Sequence, residues 1–100
     1  MTGRPYLVYS AAALAKSHEL SMAIARKELH TAGFDEFSKA AAWEQFAANA
    51  DTLVLATCVP LSPAKTYVQV SATSNNEASA KKWAAELMKR IKASKMVLFD

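Results

Sequence analysis

Apolar positions recur at two different spacings along this chain, and the spacing decides which segments read as strand and which as helix. Between Asp51 and Thr73 the types are those of a pleated surface: Leu53, Val54, Leu55 and Val59, then Tyr67, Val68 and Val70. The pattern predicts two strands, Thr52–Val59 and Thr66–Thr73, joined by Pro60-Leu61-Ser62-Pro63-Ala64-Lys65. Proline cannot donate to a strand ladder, so pairing is expected to stop at Pro60. Thr52, Val54, Ala56 and Cys58 face one way, and Leu53, Leu55, Thr57 and Val59 the other. Both sets are largely apolar, whereas a sheet covered on one side alternates with polar residues. The expectation is that both faces of this ribbon are shielded, the second by an inserted helix or by another subunit.

The flanking segments carry helical spacing. Tyr6-Leu7-Val8-Tyr9 reads as a short strand, and Ser10 as the cap of a helix reaching about Thr31, with Gly33 as its stop. Ala11, Leu14, Ala15, His18, Met22, Ala25 and Leu29 fall on one stripe of that helix, and Ala13, Leu20 and Ile24 on a smaller one. A second helix is predicted from Asp35 to Ala48, although Phe37, Trp43 and Phe46 do not settle on one narrow face. Ser74 and Glu77 fit a capping box, followed by Ala80, Trp83, Ala84, Leu87, Met88 and Ile91 at the spacing of a helical face. Met96-Val97-Leu98-Phe99 reads as a final strand. The order predicts one α+β domain over residues 1–100: a two-layer antiparallel sheet with helices on one face, ferredoxin-like in a β-α-(α)-β-β-α-β order.

Composition changes this picture little. A chain that is 52% hydrophobic and 21% charged is globular, and at 100 residues it is one domain. No run reaches the roughly 18 apolar residues of a membrane span. The apolar run from Tyr6 to Ala15 after Arg4 imitates a signal peptide but is short for one, so a cytoplasmic protein is expected. The lone Cys58 allows no internal disulfide and fits a reducing compartment. Net charge is +3, with Lys81, Lys82, Lys89, Arg90, Lys92 and Lys95 gathered near the C-terminus. Such a cluster could attract nucleic acid or an anionic membrane. Lysines alternating with apolar residues are more simply the wet face of a helix, and that reading is preferred.

Candidate chemistry is sparse. His18 falls within the main apolar stripe, where a neutral imidazole could serve as a base or hold a ligand over the sheet. No partner nucleophile can be named for it, which favours a partly buried histidine with one satisfied hydrogen bond. Cys58 needs a cationic neighbour or helix N-terminus to become a nucleophile, and between apolar strand neighbours it reads as a packing residue. A Cys58–His18 pair is the one catalytic arrangement worth testing. His18, Glu19 and His30 diverge on the helical wheel, so no metal site is expected. Tyr6, Tyr9 and Tyr67 suggest a base-stacking sheet, but the glycine-aromatic signature of such RNA-binding sheets is missing. With only Gly3 and Gly33, the chain has no phosphate-cradling loop, and no cofactor is expected.

From Trp43 onward the chain resembles a family of small bacterial α+β proteins of uncharacterised function. The resemblance is carried by Thr52 through Cys58-Val59-Pro60, by Thr66-Tyr67-Val68-Gln69-Val70, by Ala72 and Ser74, and by a helix bearing Ala80 and Leu87. It implies a two-layer α+β fold and offers no catalytic residue to carry over. Those relatives look exported, whereas this chain lacks a convincing signal.

The combined expectation is a small, non-catalytic interaction or ligand-binding module that forms a homodimer or higher homo-oligomer through its sheet, with a small apolar ligand as a further partner. Its competitors are a small enzyme with a helix–sheet pocket using His18 and Cys58, and nucleic-acid binding through the lysine-rich helix.

Overall fold

A computed structural model describes residues 6–34, 36–38, 43–49 and 51–96. The class is α+β: an antiparallel sheet and two helices. In chain order the elements are β1 (Tyr6–Leu14), α1 (His18–Thr31), β2 (Glu36–Ser38), β3 (Glu44–Ala48), β4 (Thr52–Ser62), β5 (Lys65–Ser74) and α2 (Glu77–Ala93). The sheet runs β1-β5-β4-β3-β2, every neighbouring pair antiparallel. β1 and β4 therefore run parallel to each other on either side of β5. α2 lies over β1 and β5, and α1 over β4 and its two neighbours β5 and β3, so both helices cover the same face.

The β4–β5 hairpin forms where the alternation places it but extends further. Pairing continues through Pro60↔Thr66, with an irregularity between Pro60 and Ser62. The reason lies two residues earlier. Cys58 N–H donates to Trp43 O at 2.8 Å, away from β5, so the N–H that Pro60 lacks would also point away from β5. On that side the pairing with β3 runs only to Thr57, so among the described residues no ladder bond is lost at Pro60.

Three helical expectations are corrected. The first helix starts at His18, not Ser10, and is capped by Ser17, whose Oγ accepts from Leu20 N–H at 3.2 Å. Ser10–Leu14 instead prolongs β1, paired with Val70 through Thr66. Alanine favours helix by only tenths of a kcal/mol per residue (about 0.7 at most) over other ordinary residues, and strand pairing outweighs that. Ile24, from the minor stripe, lies fully in the core beside Ala25 and Leu29.

The second correction concerns 35–48. Its described residues form β2 and β3 rather than a helix, and so join the sheet instead of covering it. The scattered aromatics are explained: within β3, Gln45 and Ala47 share one face and Phe46 the other, at period two. The third correction is the cap of α2. Asn76 caps the helix, its Oδ1 accepting from Ser79 N–H at 3.2 Å. Ser74 Oγ accepts from Asn76 N–H at 3.1 Å and donates to Asp51 O at 2.9 Å, tying the helix entry to the start of β4.

Met96 is described and is not in a strand; the remainder of the expected last strand lies outside the described residues. Among those residues the order is β-α-β-β-β-β-α, which differs from the expected β-α-(α)-β-β-α-β.

The core sits between the helices and one face of the sheet. Val54, Ala56 and Cys58 of β4 and Val68, Val70 and Ala72 of β5 meet Ile24, Leu29, Leu87 and Ile91 from the helices, all buried. Gly33, at φ 94°, ends α1: Phe34 N–H reaches Leu29 O and Gly33 N–H reaches His30 O, each at 3.0 Å. That turn drops Phe34 into the core, where its ring meets Trp83 edge-on at 4.9 Å. Both helices thus close over one side of the sheet only.

Candidate functional site

Two regions carry unusual chemistry: the seam between α1 and β3, and the uncovered face of the sheet.

In the seam, His18 occupies the first turn of α1, and Ser21 and Met22 follow it at i+3 and i+4 on the same side of the helix. Opposite, Trp43 and Gln45 are two residues apart and share one side of β3 and the turn leading into it. The His18 and Trp43 rings meet edge-on, 6.4 Å apart. Gln45 Nε2 donates to Met22 O at 2.7 Å, locking strand to helix. Cys58 joins the seam from β4, through its backbone bond to Trp43 O.

Three buried polar atoms in this seam have no protein hydrogen-bond partner: His18 Nε2, Ser21 Oγ and Gln45 Oε1. His18 is half-buried, as the sequence suggests, but its Nε2 lacks the hydrogen bond expected for a structural histidine. The structure places His18 on α1 and Cys58 on β4, in the helix and sheet layers respectively, with no hydrogen bond from His18 Nε2 to Cys58. Cys58 is sealed, and burial pushes its thiol from an ordinary 9.0 up to about 11. Near neutral pH it is therefore protonated, whereas the thiolate is the nucleophile.

Glu19 and His30 do not join His18, and among the described residues no group of three His, Cys, Asp or Glu could hold a metal ion. Ser21, Trp43 and Gln45 escape sequence reasoning: Ser21 sits between two apolar stripes, and the other two lie in a segment read as helix.

The second region is the face away from the helices. Successive rows across β1, β5 and β4 are Leu7–Thr73–Leu53, Tyr9–Ser71–Leu55, Ala11–Gln69–Thr57 and Ala13–Tyr67–Val59. β3 extends them with Ala48, Phe46 and Glu44. Tyr9 is 66% exposed, Leu7 68% and Leu53 44%, while the adjacent Val54 is wholly buried. Among the described residues no helix covers this second face, and Leu53 stands open on it while Leu55, Thr57 and Val59 are partly exposed. Along β5 a polar ladder divides this surface: Tyr67 Oη donates to Gln69 Oε1 at 3.1 Å, and Gln69 Nε2 donates to Ser71 Oγ at 3.3 Å.

Other features are self-contained. A shallow cleft of about 560 Å³ lies where β4 and β5 meet the start of α2. Its polar groups bond each other: Asn49 Oδ1 accepts from Asp51 and Thr52 N–H, and Asp51 Oδ1 accepts from Thr52 Oγ1. In the basic cluster, Lys81 pairs with Glu77 at 2.8 Å and Arg90 with Glu86 at 2.9 Å, while Lys82 lies over the Trp83 ring. These pairs raise the Lys81 pKa and lower that of Glu86, chiefly by hydrogen bonding within each pair. No described helix is long and apolar enough to cross a membrane. No model of a known protein family matches the chain, and no curated protein matches it.

Proposed function

We propose that this protein is a non-catalytic interaction module whose uncovered sheet face binds a second copy of the same chain. The observation that carries this reading is the exposure of Leu7, Tyr9 and Leu53 on one continuous, nearly uncharged face. Three strands spaced about 4.8 Å apart over the nine paired residues of β1, with the five paired residues of β3 beside them, span about 500 Å² before side-chain relief. A standard interface buries about 800 Å² per partner, with a lower bound near 600 Å². The flat area lies below that range and side-chain relief adds to it, so a single partner would have to use the whole face. Among described side chains Glu44 and, at the far end of β5, Lys65 bring the charges to this face, one of each sign, so its net charge does not select a charged partner. A two-fold pair needs a patch complementary to itself, and a mixture of apolar rows with one donor–acceptor ladder meets that condition.

In this reading the fold is a ferredoxin-like core of β1, β5 and β4 under two helices, widened by β2 and β3. The buried, reduced Cys58 fits a cytoplasmic setting.

Sedimentation equilibrium over a concentration series tests the proposal. Wild-type chain should move from monomer to dimer, and Leu53→Asp should stay monomeric with an unchanged circular dichroism spectrum. Wild-type chain that stays monomeric throughout would overturn it.

A second reading, a small-ligand or catalytic seam, draws on the unpartnered His18 Nε2. The protonated Cys58 opposes its nucleophilic form, leaving His18 as a base or ligand contact. Soaking with imidazole-sized polar compounds and following the His18 ring signals by NMR tests this reading; unchanged shifts would remove it.

A further inference from the structure

We propose that Gln69 sets the orientation in which the second copy docks, with β5 of one copy aligned over β5 of the other. This rests on the self-association reading above and names the residue that makes it specific.

β5 lies between β1 and β4, so Gln69 is in the middle of the open face. Its carbonyl oxygen accepts from Tyr67 Oη, and its amide nitrogen donates to Ser71 Oγ. A primary amide has two N–H groups and two lone pairs. One N–H and one lone pair of Gln69 are therefore left for a partner. Buried against apolar side chains, each unmet group would cost about 1–3 kcal/mol.

The surface offers few ways to avoid that cost. Toward the Leu7 and Tyr9 rows, apolar side chains of β1 and β4 flank the ladder, with Tyr9 on one side and Leu53 and Leu55 on the other. A partner slid one strand toward β1 would lay the amide on Ala11, and one slid toward β4 would offer it only the single Thr57 hydroxyl, set among Leu53, Leu55 and Val59. With the two sheets aligned and a two-fold axis near Gln69, each amide donates to its counterpart and both remaining groups are met. The apolar stripes then meet each other. A single buried polar residue selects one register among several of similar apolar area, as a buried asparagine does in a coiled coil.

The test combines Gln69→Leu with a distance measurement. Lys89→Cys, exposed on α2, carries a spin label in both backgrounds, and the sealed, protonated Cys58 stays unlabelled. At a concentration where sedimentation shows dimer, Gln69 protein should give one narrow interspin distance. Gln69→Leu should associate equally well, or up to about tenfold more tightly, yet give a broadened or multiple distance distribution. Gln69→Leu dimers with the same narrow distance as wild type would overturn the role of Gln69 while leaving self-association intact. A multiple distribution in the wild type would do the same. Wild-type chain that never dimerises would overturn the underlying reading and this one with it.

Discussion

The two faces of one sheet are both largely apolar along β4, yet they lie in opposite environments. Val54 and Leu53 are neighbours on β4, yet Val54 is fully buried and Leu53 is 44% exposed. On the helix side the strands present small and β-branched residues, Val54, Ala56, Cys58, Val68, Val70 and Ala72, over which α1 and α2 close. On the other side they present larger ones, Leu53, Leu55, Phe46, Tyr9 and Tyr67, divided by the hydrogen-bonded ladder through Gln69. Apolar character alone therefore does not say which face is covered. Size and polar interruption do: small residues admit a close helix, and a half-satisfied polar ladder suits a surface that must choose its partner.

The sharpest way to break this contrast is to place the same charge on both faces. Val54→Asp buries an unpaired carboxylate in the core between sheet and helices and should cost more than about 4 kcal/mol, leaving the chain unfolded in a denaturant titration. Leu53→Asp, one residue away, should shift the midpoint of the same titration little when measured on dilute monomer. Comparable losses would mean that both faces are core.

A pH titration sharpens the covered side next. Folding raises the Cys58 pKa from 9.0 to about 11, so between those values the folded chain holds a proton that the unfolded chain has lost. The associated stability is complete below pH 9 and declines as the pH rises to about 11. At about 1.4 kcal/mol per pKa unit, the decline approaches 3 kcal/mol. Cys58→Ala should flatten that stretch of the stability curve; an unchanged slope would mean that the thiol is not sealed.

A smaller effect belongs to the seam. Ser21 Oγ is buried without a protein partner, so Ser21→Ala should stabilise the fold by about 1 kcal/mol, read as a higher melting temperature. A lower melting temperature would show that the hydroxyl is satisfied. At the bottom of the scale, Lys81→Ala and Arg90→Ala remove exposed ion pairs and should change stability immeasurably. The basic helix should also show no retention on nucleic acid at low salt. Retention that falls steeply with added salt would instead favour a phosphate-binding role.

These contrasts explain what was legible in the sequence. The β4–β5 hairpin and α2 were readable because their signals are local: β-branched runs beside Pro63-Ala64, and apolar residues at helical spacing after a polar cap. Ser10–Leu14 was not readable, because Ser-Ala-Ala-Ala-Leu is a good helical sequence and becomes strand only by pairing with Val70 through Thr66. The 44–48 segment failed for a related reason, since Glu44-Gln45-Phe46-Ala47-Ala48 fits either period and β4 decides between them. Of the seam, His18 stood out by its place on an apolar stripe. Ser21 and Gln45 did not, because an unmet hydrogen bond is a property of the packed fold. Gln69 was visible only as one polar residue in a strand. Its importance appears when β1 and β4 are laid beside it.

The most direct measurement is oxidative footprinting of Tyr9 across a concentration series, with the exposed Trp43, away from the rows of the open face, as internal control. A covered sheet face predicts that Tyr9 labelling falls as concentration rises while Trp43 labelling stays constant. Constant Tyr9 labelling through a concentration range in which the chain dimerises would place the contact elsewhere and contradict the account.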